Sequence, residues 1–262
     1  MRLVFSEWTP DYSRYCFPYQ VWAYPTDGEC PSDLLARGFL PSSYSLTRFY
    51  LARSTRIRLA DFRLTPRLRQ IVKSCREVTS LLLSNQEFDL TEDRLEFFER
   101  YIANRWRDGF LSRDRLISLF TSPITSHVLR FTCLPTEAEV GIVTFYIESP
   151  RCVFYSNAFY DVDWLPNSIG IYMMLSAIEW AANAGFEFIY LGTCYSKSSL
   201  YKTRYPGIEF YNGSKWSKNL CELRYLIDRQ DKQVEVHVFE DDEYLRKFCK
   251  GSFDGVTIGD QT

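Results

Sequence analysis

Two carboxylates, Asp161 and Asp163, end an aromatic run, at the mouth of a strand–helix–strand stretch that runs as far as Trp216. From Tyr155 the text is YSNAFYDVDWLPNSIGIYMMLSAIEWAANAGFEFIYLGTCYSKSSLYKTRYPGIEFYNGSKW. Val153 to Tyr160 reads as a buried strand, broken by Asp161-Val162-Asp163. Ser168 has the chemistry of an N-cap, and Ile171, Met174, Leu175, Ile178 and Ala182 recur at helical spacing. Gly185 suits a left-handed helix stop, and Phe186 to Leu191 is a second strand closed by Gly192. Polar groups at the exit of one strand and the entry of a crossover helix are where open α/β sheets place ligands. A second chemistry is electrostatic. Arg48, Arg53, Arg56, Arg58, Arg63, Arg67, Arg69, Lys73 and Arg76 face a single acid, Asp61, within that segment. Guanidinium groups pair with phosphate oxygens in fixed bidentate geometry, so the block suits a polyanion. The alternative is a solvated basic face.

Other chemistries are excluded or weak. The 262 residues are 46% hydrophobic and 24% charged, an ordinary globular composition, and the 17% aromatic share supplies rings for a core or for stacking. The eight cysteines stand singly at 16, 30, 75, 133, 152, 194, 221 and 249 without a C-x-x-C, so neither a zinc ribbon nor an iron–sulfur site is indicated. His127 and His237 lie in apolar surroundings with no neighbouring nucleophile, which argues against Ser–His or Cys–His hydrolysis. No apolar run reaches the ~20 residues of a membrane helix. The start, MRLVFSEWTP, lacks a signal-peptide core, so the expectation is a cytoplasmic protein with reduced, mostly buried thiols and no metal.

The elements that would position these groups follow from pattern. Residues 1 to about 47 are rich in Pro, Tyr and turn residues, with a short helix at Ser32 to Arg37 before Gly38. Arg48 to Phe62 alternates as a strand, and Thr65-Pro66 opens a helix through Leu82. Helices are expected at Thr91 to Arg107 and Ser112 to Phe120, then an antiparallel pair at Val128 to Cys133 and Val140 to Ile147. After Trp216 come a helix or strand at Leu220 to Ile227 and a strand at Val234 to Phe239. Helices, an antiparallel sheet and then β–α–β make an α+β arrangement, which a splayed sheet holding a ligand between two strands would satisfy.

These residues resemble a known family. Tyr160-Asp161, Ser168 with Gly170, Tyr190-Leu191-Gly192, Tyr201-Lys202, and Gly213 with Trp216 are similar in order and spacing to the aminoacyl-tRNA–protein transferases. That family comprises the arginyltransferases and the bacterial leucyltransferase acting on acidic N-termini. Gly38-Phe39, Arg56-Ile57, Phe62, Thr65 and Arg67 resemble the segment before its first long helix, so the likeness covers about 12–75 and 140–216. It implies an acetyltransferase-like mixed sheet flanked by helices (residues 76–262) behind a smaller N-terminal region with the Arg-rich segment (1–75). The helix start Asn167-Ser168-Ile169-Gly170-Ile171-Tyr172 lacks the glycine loop that a coenzyme A pyrophosphate requires, which favours RNA as the acyl carrier. The family's paired cysteines are missing: Cys16 has no C-x-x-C partner, and Phe49, Ala52 and Arg53 stand where several cysteines are usual. Leu40 replaces an arginine after Gly38-Phe39.

The resemblance implies attack of an acceptor α-amine on the ester joining arginine or leucine to tRNA, with no cofactor, no DNA and no membrane partner. The ester is already activated, so holding both reactants in attack geometry supplies up to ~7–11 kcal/mol. Asp161, with Asp163 as second choice, is the candidate for orienting or deprotonating the amine; its structural alternative is capping the next turn. Lys202 would bind the terminal phosphate or steady the oxyanion, unless it is a plain surface lysine. Tyr190, Tyr195 and Tyr201 would stack on the terminal adenine or donate a hydrogen bond, unless they are plain buried strand tyrosines. Ser168, Gly170 and Gly192 join the substrate site, and Arg53, Arg58, Arg63, Arg67 and Arg69 the tRNA surface. Arg56 and Arg58 are expected on opposite strand faces, so both cannot line one site; Arg56 matches the family position and is assigned to the acceptor carboxylate or the tRNA. The alternatives are an acyltransferase of this fold acting on a peptide or small molecule, and a non-catalytic tRNA- or peptide-binding relative.

Overall fold

The computed structural model describes residues 1–7, 19–105, 111–148, 150–232 and 236–252. The N-terminal region forms a small antiparallel sheet of β1 (Arg2–Glu7), β2 (Tyr19–Tyr24), β3 (Phe39–Pro41) and β4 (Phe49–Leu51), in the order β1-β2-β4-β3. Its short helix α1 (Pro31–Ala36) supplies Leu34 to a core with Ala23, Phe39 and Phe49. The strand expected from Arg48 to Phe62 is therefore divided. β4 stays in the small sheet, while β5 (Ser54–Arg58) enters the large one, because Ala52-Arg53 turns the chain between them.

After α2 (Pro66–Ser74) come β6 (Val78–Ser84), α3 (Glu92–Arg105), α4 (Arg113–Thr121), β7 (His127–Cys133) and β8 (Glu139–Glu148). Then follow β9 (Cys152–Tyr160), α5 (Ile169–Asn183), β10 (Phe188–Thr193), β11 (Ile208–Tyr211), β12 (Trp216–Ser217), α6 (Leu220–Asp231) and α7 (Asp242–Phe248). The large mixed sheet has eight strands in the order β12-β11-β5-β10-β9-β8-β7-β6, and helices flank it. The helix expected to run from Thr65 to Leu82 ends at Ser74, where the amide of Cys75 bonds back to Ile71 and Val72 carbonyls. Val78–Ser84 instead pairs with β7 along its whole length. It is an edge strand whose Thr79, Ser80 and Leu81 are exposed, so its burial pattern carries little periodicity. The strand expected at Val234 to Phe239 is also absent where described: Val238–Glu240 is a 3-10 turn that the His237 ring caps.

The decisive feature is how β9 and β10 meet. They are parallel and pair only at Cys152↔Phe188, Val153↔Ile189 and Phe154↔Tyr190. Beyond that, β9 continues to Tyr160 along β8, whereas β10 bulges between Tyr190 and Gly192 and follows β5. The bulge turns the strand aside, and Gly192 accepts the φ of +76° that the turn requires. The two strands consequently part at one end. α5 covers the sheet beside this gap and buries Ile169, Met173, Met174, Leu175, Ala177, Ile178 and Ala181, more than a single stripe. On α3, Phe98 packs on Phe159 of β9 at 4.6 Å between ring centroids.

Candidate functional site

The gap between β9 and β10 opens into a cavity of about 520 Å³. β9 contributes Tyr155, Ser156, Asn157, Ala158 and Tyr160, and β10 contributes Leu191. The start of α5 supplies Ser168, Gly170, Ile171 and Met174; the end of α3 supplies Tyr101 and Arg105; the 3-10 helix Lys197–Arg204 supplies Tyr201, Lys202 and Arg204. No Asp or Glu is among the described lining residues. Apolar and phenolic side chains share the walls with the polar Ser156, Asn157 and Ser168, and the formal charges of the described lining residues are all positive.

Lys202 is the central group. Its residue is 8% exposed, and its Nζ donates to the Thr193 carbonyl at 2.7 Å with no other acceptor among the described residues. Burial disfavours the ammonium and lowers its pKa to about 8. A methyl group on Gly192 would come within 3.8 Å of Nζ, so the bulge and the lysine are adjacent. Gly170 is needed for packing: a Cβ there would lie 2.9 Å from a ring carbon of Tyr160. The Tyr160 ring in turn meets Tyr101 edge-on at 4.7 Å. Burial raises the phenols of Tyr101 and Tyr155 and pushes Tyr201 up to about 12, so all three stay protonated donors. Tyr205 donates to the Ile171 carbonyl at 3.0 Å and pins the first turn of α5.

Ser168 precedes α5 as expected but does not cap with its side chain. Its φ of 61° and ψ of 37° are left-handed, and its carbonyl accepts from Ile171 and Tyr172 at 3.0 Å. A non-glycine residue held there costs about 1 kcal/mol or more, a strain that tends to cluster at functional sites. Neither carboxylate lines the cavity. Asp161 Oδ1 accepts from the Asp163 amide at 3.0 Å, the turn-capping role, and Asp163 is exposed.

A second cavity, about 540 Å³, lies where β9 and β10 are paired and takes in Cys152, Phe188 and Tyr190. Arg56 and Arg58 both line it. Residues two apart on a strand share a face, so the expectation of opposite faces was an error of parity. Both reach Glu209: Arg56 Nε at 2.8 Å and Arg58 Nε at 3.3 Å. The Arg56 guanidinium also lies 3.8 Å from the Phe188 ring centroid and 4.1 Å from that of Trp216. Tyr190 is buried beside Arg56, and desolvation pushes its phenol up to about 12. Trp216 Nε1 donates to the Ala36 carbonyl at 2.7 Å, tying β12 to α1.

The basic block is therefore dispersed. Arg53 stacks 5.1 Å from the Tyr195 ring; its amide donates to the Tyr195 hydroxyl, and its Nη1 is buried without a hydrogen-bond partner. Arg63 turns back to the carbonyls of Ala60 and Phe62, while Arg67 and Arg69 are exposed on α2. Of the expected residues the first cavity unites Ser168, Gly170, Tyr201 and Lys202, with Gly192 adjacent. Arg105 and Arg204 line it without having been singled out. Arg204 stands two residues after Lys202 in the quoted YKTRY, whereas nothing local marks Arg105.

The remaining candidates are structural. His127 bonds Ser126 and is held below its usual pKa by burial. The described cysteines are all free, Cys16 lies outside the described residues, and no metal-ligating cluster exists among the residues described. No helix among them is long and apolar enough to cross a membrane.

Comparison with known proteins follows this division. The family profile described as "Arginine-tRNA-protein transferase, C terminus" matches residues 89–212, which include every residue lining the first cavity. An aspartate/glutamate leucyltransferase of Cereibacter sphaeroides is 28% identical over 221 residues, 80% of this chain and 74% of its own length. One of Ruegeria pomeroyi is 33% identical over 134 residues, 48% of each chain. Among solved structures, L-PGS from Bacillus licheniformis overlaps 55% of this chain and 46% of its own with a TM-score of 0.41 and 15% identity, too loose to assign a function. Profile and relatives agree with the motifs around Tyr160, Ser168, Tyr190 and Lys202: over the part of the chain that carries the first cavity, the protein is similar to the aminoacyl-tRNA–protein transferases.

Proposed function

We propose that the chain transfers an uncharged aliphatic aminoacyl group, leucine, from tRNA to the α-amine of a protein or peptide that begins with Asp or Glu. The observation that carries this reading is the lining of the first cavity. Ala158, Ile171, Met174 and Leu191 provide apolar surface, and the described lining residues include no carboxylate to pair with an arginyl side chain. Entry of a guanidinium beside Lys202, Arg105 and Arg204 would leave a like charge unpaired in a partly dehydrated site. The relatives named as aspartate/glutamate leucyltransferases support the same donor and acceptor classes.

In this reading the parted strands of an acetyltransferase-like sheet hold the aminoacyl end. The Lys202 ammonium, charged at neutral pH and bonded among the described residues to Thr193 alone, stabilises the oxyanion that forms when the amine attacks the ester carbonyl. Tyr201 and Tyr160 flank the terminal adenosine. The amine forms the new amide bond, the tRNA 3′ oxygen leaves with the ester electron pair, and the proton lost by the amine balances the one the tRNA hydroxyl gains. Asp161, whose Oδ2 has no partner among the described residues, orients the incoming amine, with Asp163 beside it. Exposed Arg67 and Arg69 on α2, with Arg63, contact the tRNA backbone. The ester supplies the driving force, so the reaction calls for no cofactor.

The test is transfer of label from leucyl-tRNA and, separately, arginyl-tRNA to a peptide beginning with Asp. Preference for the leucyl donor by at least tenfold is expected. Preference for the arginyl donor would overturn the reading of the cavity, and transfer from acyl-coenzyme A alone would overturn the RNA donor.

A further inference from the structure

We propose that Arg204, with Arg105 at the same cavity, reads the side-chain carboxylate of the acceptor's first residue; this rests on the aminoacyl-transfer reading above. Arg56, favoured for that role by its position in the sequence, is occupied by the buried Glu209 and lines the other cavity. Reach narrows the choice. The attacking amine must come within ~3–3.5 Å of the ester carbonyl, and a first-residue carboxylate lies only a few bonds from that amine. The cation that reads it must therefore belong to the cavity holding the ester. Among the described residues three stand there: Lys202, Arg105 and Arg204. Lys202 is buried and tied to Thr193, which leaves the two arginines.

Both are exposed and neither makes an ion pair with a described residue. That distinguishes them from Arg37, Arg56, Arg58, Arg94, Arg113, Arg151 and Arg229, each of which has an acidic partner. They come from different elements, the last turn of α3 and the 3-10 helix after β10, so the cavity brings them together and no single basic helix face does. With no acid among the described lining residues, an incoming carboxylate has no competitor among them for the two guanidinium groups. A guanidinium fork binds a carboxylate in bidentate geometry, which favours Asp or Glu over the isosteric amides Asn and Gln. The tRNA 3′ phosphates are the rival occupant, and the experiment separates the two.

Peptides differing only in a first residue of Asp, Asn or Lys are compared in wild-type protein, Arg204→Gln, and Arg105→Glu/Arg204→Glu. In Arg204→Gln the kcat/KM ratio of Asp- to Asn-peptide falls by at least about tenfold, while the KM for aminoacyl-tRNA moves less than about threefold. The double reversal shifts preference toward the Lys-peptide. A rise in the tRNA KM with an unchanged Asp-to-Asn ratio would assign the arginines to phosphate and overturn the proposal. A wild-type enzyme that does not distinguish Asp from Asn would overturn it as well, with the donor reading intact. The ratio is read with whichever aminoacyl-tRNA serves as donor, so failure of the leucine assignment leaves this test in force. Should no donor support transfer, equilibrium binding of the labelled Asp-peptide decides. Binding at least about tenfold weaker to Arg204→Gln than to wild type supports the proposal, and equal binding sinks it.

Discussion

The two cavities of this protein are nearly equal in volume and both are rich in cations and aromatic rings, yet their charges are in opposite states. Where β9 and β10 are paired, Arg56 and Arg58 close on Glu209, Arg151 on Asp33 and Arg37 on Glu29. Where the strands part, no acid is among the described lining residues, Arg105 and Arg204 make no ion pair with a described residue, and Lys202 is charged against its burial. An arginine that is already paired contributes to folding; a cation left without a counter-charge, in a cavity and at a cost in desolvation, is free to meet a substrate. Arg56, prominent in the sequence motifs, is of the first kind, and Trp216 stacks on it.

Removing one charge from each cavity should have effects of opposite sign on stability. Glu209→Ala leaves the Arg56 guanidinium buried and uncompensated, and should destabilise the fold by about 3–5 kcal/mol in denaturant titration. Transfer per folded molecule should persist; its abolition in fully folded protein would break the comparison. Lys202→Met should lower transfer by about 10²–10³-fold, the usual loss for an oxyanion donor. The same change should stabilise the protein at pH 7. A folded pKa of about 8 against the ordinary lysine value of 10.5 corresponds to a penalty of about 3 kcal/mol, from which loss of the Thr193 hydrogen bond subtracts about 1 kcal/mol. Because the folded pKa is lowered, that penalty is complete below about 8 and disappears as pH rises to the unfolded value. The stability gap between wild type and variant should accordingly narrow between pH 7 and pH ~9.5.

Activity should show the matching pH dependence. Transfer rises as the acceptor amine loses its proton near pH ~8 and falls as Lys202 loses its own near about 8. The wild-type profile should thus peak near pH ~8, and Lys202→Met should retain only the rising limb. A wild-type rate that keeps rising to pH ~9.5 would exclude the ammonium role. A smaller effect is expected at the turn after β9. Asp161→Asn can still cap the Asp163 amide, so about a tenfold loss of transfer with tRNA binding retained would isolate the charge. Near-normal turnover would leave Asp161 as the turn cap alone. Smallest of all, Arg67→Glu with Arg69→Glu should weaken tRNA binding several-fold and flatten its salt dependence by roughly one unit of slope for each phosphate no longer neutralised. An unchanged slope would return α2 to solvent.

Much of the fold was legible along the chain. β9, α5 and β10 stand within a few residues of their expected positions because each is long, apolar and bounded by local breakers such as Asp161 and Gly185. β6 was not legible. As an edge strand half open to water it has no clean alternation, and its partner, β7, lies far along the chain, beyond two helices. The candidate site was legible in part. Ser168, Gly170, Tyr201 and Lys202 cluster because they flank one crossover, whereas Arg105 arrives on α3 and carries no local mark. In sequence Arg58 and Arg53 belong to a single basic block, but β5 carries Arg58 to Glu209, and Tyr195 stacks on Arg53 beside it.

The amino-acid order by itself determined the strand–helix–strand unit, the family likeness and the groups placed at the crossover, because these depend on residues close in sequence. Only the tertiary structure decided which cations are free. That choice depends on where Glu209 and the other acids arrive in space, and on a bulge at Gly192 that parts two strands, neither of which a local pattern contains.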